Sequence, residues 1–303
     1  MAADDGRIDT RDWWLLGLLS LLWGGSFFLN AVVLKELPPL TVVFLRVAIA
    51  ALLLLPLLWI YRIRFPKSVS AWKPFLAMGL LNNVLPFSLV LSGQTYIPSG
   101  LASILNATTP LFTVVVMAVA GEERAQARRI AGVIAGLIGV MILHGASVDF
   151  ATAQGIGILF CLAAAFSYAL SALLARRLLS NSPPLATATF QMLASTAVVS
   201  IVAAVVERPW QLPMPGPATW LAVFGLAALS TALAYIVFFQ VLRRSGATNV
   251  MLVTLLIPVT AILLGYLLLG EQITAREIVG AIVIGSALLL IDGRAIIWFR
   301  RLA

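Results

Sequence analysis

Ten stretches of predominantly apolar residues, each close to the length of a bilayer-crossing helix, divide this chain from end to end. A hydrocarbon core of roughly 30 Å is crossed by about 20 helical residues. Breaking the chain at charges and proline clusters gives segments 13–34, 39–61, 73–93, 98–120, 128–145, 155–175, 184–206, 219–242, 247–269 and 276–292. The composition agrees, with 61% hydrophobic and only 11% charged residues. A water-soluble globule built from it would have too few charges to cover its surface. The expected fold class is all-α integral membrane. The connections at 35–38 and 243–246 are so short that their flanking helices must form antiparallel hairpins.

The formal charge of +8 does not point to nucleic acid, because the basic residues sit between apolar runs rather than on one soluble face. A single cysteine, Cys161, allows no intrachain disulfide and is read as a small core residue. The first segment is preceded by Asp4, Asp5, Asp9 and Asp12 as well as Arg7 and Arg11. A signal peptide would start more basic and carry a shorter apolar region, so this segment is expected to be a retained helix.

Counting Lys and Arg by connection places 16 on the side of the termini and the even-numbered loops. Three lie on the other side (Lys35, Arg208, Arg276), and one, Arg46, lies within a segment. The positive-inside rule then predicts both termini in the cytoplasm of a bacterial inner membrane.

The two halves of the chain also align. Residues 34–47 match 178–192, setting Pro38-Pro39 against Pro183-Pro184 at an offset of 145. Residues 108–123 match 256–272, setting Pro110 against Pro258 and Gly121-Glu122 against Gly270-Glu271. Residues 129–136 match 277–284, and Gly145 falls on Gly293. Five segments per copy is an odd number, so the second copy, 147–303, must be inserted upside down relative to the first, 1–146. Inverted repeats of this kind are typical of secondary transporters.

These features resemble the ten-helix EamA-type family of the drug/metabolite transporter superfamily. The matching residues are Trp23-Gly24-Gly25-Ser26, Phe44-Leu45-Arg46, and Pro110, Gly121-Glu122 and Gly132 repeated as Pro258, Gly270-Glu271 and Gly280. The resemblance implies two inverted five-helix repeats, with helices 1, 3, 4, 6, 8 and 9 around a central cavity and helices 5 and 10 outside. In overall character the chain is similar to the YddG-like exporters of aromatic and other neutral amino acids.

Polar and aromatic groups inside the segments are the candidate site. Trp23, Phe27 and Asn30 share one face of segment 1. In segment 3, Asn83 and Phe87 share a stripe with Gln94, and Asn82 is adjacent; two consecutive amides cannot both face lipid cheaply. Ser103, Asn106 and Pro110 share a face of segment 4. Tyr168 and Ser171 lie in segment 6, and Tyr235 and Phe239 in segment 8. Interhelical packing is the plain alternative for each of them. Pro110 and Pro258 each free a backbone carbonyl, for a substrate amino group or merely for a kink. Arg46 could snorkel outward or face the bundle. Intramembrane charges are functional by default, but the resemblance extends to proteins of differing substrates and implies a packing or gating role for it. The glycines at 132, 136 and 139 and at 280 and 285 read as helix packing surfaces.

Rival classes lack their chemistry. One His and one Cys make no metal site, no nucleophile-base pair is visible, and no phosphate-binding loop is present, so neither an intramembrane enzyme nor ATP hydrolysis is expected, and no cofactor is implied. A lipophilic-cation pump would need a buried carboxylate and a phosphate carrier several buried cations. What remains is a neutral or zwitterionic solute, an amino acid foremost, with an uncharged drug or other small metabolite as the alternative. Lipid and that solute are the expected partners, and a monomer the expected state. Carboxylates lie only at segment ends, so transport is expected to run as a uniport.

Overall fold

The computed structural model describes residues 9–123, 126–144, 152–250 and 252–292, excepting the side chains of 128, 143, 144, 239, 243, 245–250 and 292. They form ten helical runs: α1 (Thr10–Val33), α2 (Pro39–Ile60), α3 (Val69–Gln94), α4 (Ser99–Val119), α5 (Ala127–His144), α6 (Ala153–Leu178), α7 (Pro184–Val206), α8 (217–250), α9 (Val253–Leu269) and α10 (Ala275–Asp292). Seven of these, α1 to α4 and α6 to α8, are long and apolar enough to cross a membrane. The segments expected from the sequence recur with shifted ends. Local chemistry sets the new boundaries. Pro39, Pro184 and Pro217 occupy the first helical position, where proline costs no hydrogen bond. The Ser68 and Thr152 hydroxyls cap α3 and α6.

Two expectations are corrected. The break expected at 243–246 does not occur: backbone stays helical from Ala234 to Val250. Arginine marks a membrane boundary but is a good helix former, and a lone glycine costs only about 1 kcal/mol, so the helix runs on past the apolar region. Helix α4, read as continuous, consists of two α-helical pieces, Ser99–Asn106 and Thr109–Val119, with Pro110 near the head of the second. The Asn106 carbonyl that Pro110 leaves without its helical donor accepts from the Thr109 hydroxyl at 2.7 Å. It is thereby satisfied within the chain.

Packing follows an exchange rule. Helix α1 lies against α8 and α9, and α6 against α3 and α4; α2 contacts α8, and α7 contacts α3; α2 pairs with α7, α4 with α9 and α5 with α10. Each contact in this set maps onto another, or onto itself, when five is added to every helix number. Most backbone irregularities obey the same rule. Positive φ occurs at Arg62 (53°) and Arg208 (48°), just after α2 and α7, and at Gly121 (73°) and Gly270 (69°), just after α4 and α9. Wide π segments interrupt α3 at Leu80–Val84 and α8 at Ala228–Leu233; a third, Gly265–Leu269, closes α9 and departs from the rule, since α4 ends as regular α-helix at Val119.

The helix ends are tied by charge. On the face opposite the start of α1, three glutamates accept from the N-termini of other helices, where the helix dipole favours an anion. Glu207 takes the Leu40 and Thr41 amides of α2 (2.9 and 2.6 Å), Glu271 the Ser99 and Gly100 amides of α4 (2.8 and 3.2 Å), and Glu36 the Gly216 amide before α8 (2.7 Å). On the α1-start face, Arg177 donates to Glu122 (2.7 Å), Arg176 and Arg129 to Glu123, and Arg244 to the buried Asp12 (2.8 Å). Glu122 and Glu271 thus sit at span ends, as expected; the side chain of Asp292 lies outside the described residues.

Among the described glycines, the least room for a side chain is at Gly24 on α1. A Cβ there would stand 1.9 Å from Thr260 Oγ1 and 2.9 Å from the Ile257 carbonyl of α9. The glycines at 132, 136 and 139 likewise meet α4 and α10 directly, as read from the sequence. Gly24→Leu should therefore sharply lower the yield and melting temperature of the detergent-solubilised protein. Gly17→Ala, where nothing lies within 4 Å, should be neutral or stabilising by up to about 1 kcal/mol. A second expectation concerns acid. The Arg177 contact holds the Glu122 carboxyl below its ordinary value of 4.5, so its small, solvent-screened contribution is intact above that pH and lost as pH falls further. Glu122→Gln should flatten that acid limb in pH-dependent melting curves.

Candidate functional site

The π segments of α3 and α8 face a common buried region, and a network of deep polar groups converges there. A π segment widens the helix by one residue per turn and leaves its carbonyls poorly paired. Neighbouring hydroxyls take them up. Ser167 of α6 donates to the Leu81 carbonyl at 2.7 Å. In α8, Thr231 donates to the Leu226 carbonyl five residues back at 2.8 Å, leaving its oxygen free to accept.

Arg46 is that acceptor's partner. It is only 6% exposed and does not snorkel; its Nε donates to Thr231 Oγ1 at 2.9 Å, and its guanidinium carbon lies 3.9 Å from the centre of the Phe87 ring. Tyr168 and Tyr235 are its electrostatic neighbours. No carboxylate stands within ion-pair distance of Arg46 among the described residues.

The π segment of α3 aims two consecutive amides at different neighbours. Asn82 Nδ2 donates to the Tyr235 hydroxyl at 3.0 Å, and its Oδ1 lies 3.1 Å from the Ser171 hydroxyl. Asn83, fully buried, donates to Ser195 Oγ at 3.0 Å. Gln191 Nε2 also donates to the Tyr235 oxygen, at 3.1 Å. Arg46, Asn82, Phe87, Tyr168, Ser171 and Tyr235 therefore form one cluster, with Asn83 joined to it through α7.

The other candidates sit apart. Asn30 donates to Gln94 Oε1 at 2.8 Å, and Gln94 donates to the Phe27 carbonyl at 2.9 Å, a separate bridge between α1 and α3. Trp23 packs on Phe238, ring centres 5.6 Å apart. Ser103 is fully buried, and its hydroxyl donates to the Gly100 carbonyl of its own helix at 2.6 Å, as a serine can bond back one turn. Pro258 lies within a continuous helix. Phe239 has its side chain outside the described residues. Three buried amide oxygens, those of Asn30, Asn83 and Asn106, have no hydrogen-bond donor among the described residues.

Gln191 and Ser195 were not anticipated, since the resemblance did not name α7 among the helices around the cavity. A signal was nonetheless present: Gln191 is the position that the 145-residue offset sets against Arg46, and Ser195 follows one helical turn later. Among the described residues no group of His, Cys, Asp or Glu could hold a metal ion.

The comparisons with known proteins bear on the whole chain. The profile of the EamA-like transporter family matches residues 12–144 and again 155–292. "Uncharacterized transporter YoaV" of Bacillus subtilis is 25% identical over 89% of this chain and 93% of its own length. Proteins named "Probable amino-acid metabolite efflux pump" in Salmonella typhimurium and Escherichia coli are each 26% identical, over 92% of this chain and 93% of theirs. A solved crystal structure superposes with a TM-score of 0.66 at 20% identity over 97% of this chain and 99% of its own, which shows a shared fold.

The cluster yields a direct test. Thr231→Val strands both the Leu226 carbonyl and the Arg46 Nε, so it should destabilise the solubilised protein by about 1–3 kcal/mol. Thr231→Ser, which keeps the hydroxyl, should recover most of that in the same melting assay.

Proposed function

The chain belongs to the EamA-like transporter family, so it is a multi-pass membrane transporter for a small molecule, and on that premise we propose that it exports neutral amino acids, aromatic or otherwise apolar, by alternating access. The observation that carries this reading is the buried cluster of amides, phenols and one guanidinium between the π segments of α3 and α8. A zwitterion with an apolar side chain needs polar groups for its two charged ends and aromatic surface for the rest. The names of the two efflux-pump relatives support export of amino-acid metabolites in general. An uncharged drug or other small metabolite is the second reading; the aromatic lining of Phe87, Tyr168 and Tyr235 favours it equally.

Alternating access is supported by the exchange rule in the packing and by the doubled family match. Two copies of one five-helix unit, 1–146 and 147–303 in opposite orientation, can trade conformations and so move access from one side to the other. The 16 to 3 distribution of basic residues supports both termini in the cytoplasm of a bacterial inner membrane. Acting as a monomer suffices for this cycle. The span-end carboxylates Glu36, Glu207 and Glu271 are all engaged by helix N-termini, which favours a uniport over coupling to protons or sodium.

Counterflow in proteoliposomes loaded with a panel of amino acids and sugars tests the substrate reading. Neutral amino acids should exchange and sugars should not, and flux should ignore imposed pH or sodium gradients once the membrane potential is clamped. Uphill accumulation driven by either ion would refute the uniport. Cysteines placed singly at Ser68 and Gln211 in a Cys161→Ala background should label from the cytoplasm and from outside respectively; labelling of both from one side would sink the inverted arrangement.

A further inference from the structure

Arg46 is the one buried basic residue among the described residues, and unlike the buried Asp12, which Arg244 pairs, it has no counter-charge there. Its anchoring is one-sided. The Nε edge is fixed by Thr231 and one face is covered by the Phe87 ring, while the Nη1 and Nη2 donors meet no acceptor among the described residues. A guanidinium held this way presents a planar pair of donors, the geometry that matches both oxygens of a carboxylate.

A structural need for the charge is contradicted by the chain itself. The position equivalent to Arg46 under the 145-residue offset is Gln191, which occupies the matching place on α7 and reaches Tyr235 with a neutral amide. The fold is thus satisfied by an uncharged donor at one of the two exchange-related positions, so the cation at the other has a purpose beyond packing. Its surroundings set the ligand. A single positive charge balances a single negative one, which fits a carboxylate rather than a doubly charged phosphate. Phe87, Tyr168 and Tyr235 supply aromatic surface beside it.

We propose that Arg46 binds the carboxylate of the transported solute, so that the substrates are organic monocarboxylates, zwitterionic amino acids among them, and amines or amides lacking the carboxylate are refused. This rests on the reading of the chain as an amino-acid carrier and adds the group by which it recognises them.

The test uses the full chain in two assays. In proteoliposomes, phenylalanine counterflow is challenged with 3-phenylpropionate, phenethylamine and 3-phenylpropionamide. In detergent, the same compounds are scored for thermal stabilisation. The wild type should be inhibited and stabilised by the carboxylate alone among the three. Arg46→Gln should lose that discrimination and lower phenylalanine flux by about 30-fold or more, the scale of deleting one partner of a buried charge pair. Arg46→Lys should keep the preference with weaker affinity. Equal competition by the amine and amide in the wild type would overturn the proposal while leaving amino-acid transport standing, and needs no variant to fold. Absence of phenylalanine flux with carboxylate-specific stabilisation intact would instead overturn the amino-acid reading and uphold the role of Arg46.

Discussion

Inside a bilayer there is no water to take up a spare donor or acceptor, and every polar group in the spans must find its partner in the protein. The structure is organised by that rule. It makes the spans helical, and it accounts for the pattern at their ends, where Glu36, Glu207 and Glu271 each take up amides at the N-terminus of another helix. It also accounts for the serines and threonines of α4, α6 and α8, which take carbonyls that regular helix would have satisfied.

The π segments of α3 and α8 are where the rule is stretched. Each leaves carbonyls over and turns neighbouring side chains inward, and each is repaired by hydroxyls from itself or an adjacent helix. The repair concentrates polarity in one buried region and links helices far apart in sequence: α2 to α8 through Arg46 and Thr231, α3 to α7 and α8 through Asn82, Asn83 and Tyr235. Because the exchange rule brings the same structural position from both halves to this region, Arg46 and Gln191 become near neighbours of the same tyrosine. Their difference in charge gives an otherwise two-fold arrangement a polarity. A site at such a place is sensitive to how the halves sit against each other, which is what a carrier requires.

Much of the site was legible in advance where the energetics were extreme. The Asn82-Asn83 pair and Arg46 stand out because unpaired amides and charges in hydrocarbon are costly, so their burial among partners could be anticipated. Ser103 and Pro110 carry a weaker signal for the opposite reason. A serine hydroxyl can bond back to its own helix and a proline-freed carbonyl can be met by the adjacent threonine, so neither has to look outward. Gln191 was passed over because its helix was not among those named around the cavity, although its alignment with Arg46 was visible in the repeat.

The sequence by itself determined the solvent, the succession of apolar helices and the family, because length, apolarity and the Pro and Gly-Glu spacings are properties of single segments or of segments compared end to end. It also determined that the halves correspond, since an offset of 145 to 149 residues survives in the letters alone. Only the tertiary structure decided which polar residues meet. Helical periodicity gives each residue a direction about its own axis, but partner choice depends on the rotation and depth of ten axes relative to one another. A π segment shifts that rotation by about 100°. Thr231 beneath Arg46, and Asn82, Gln191 and Tyr235 in one network, are consequences of those shifts.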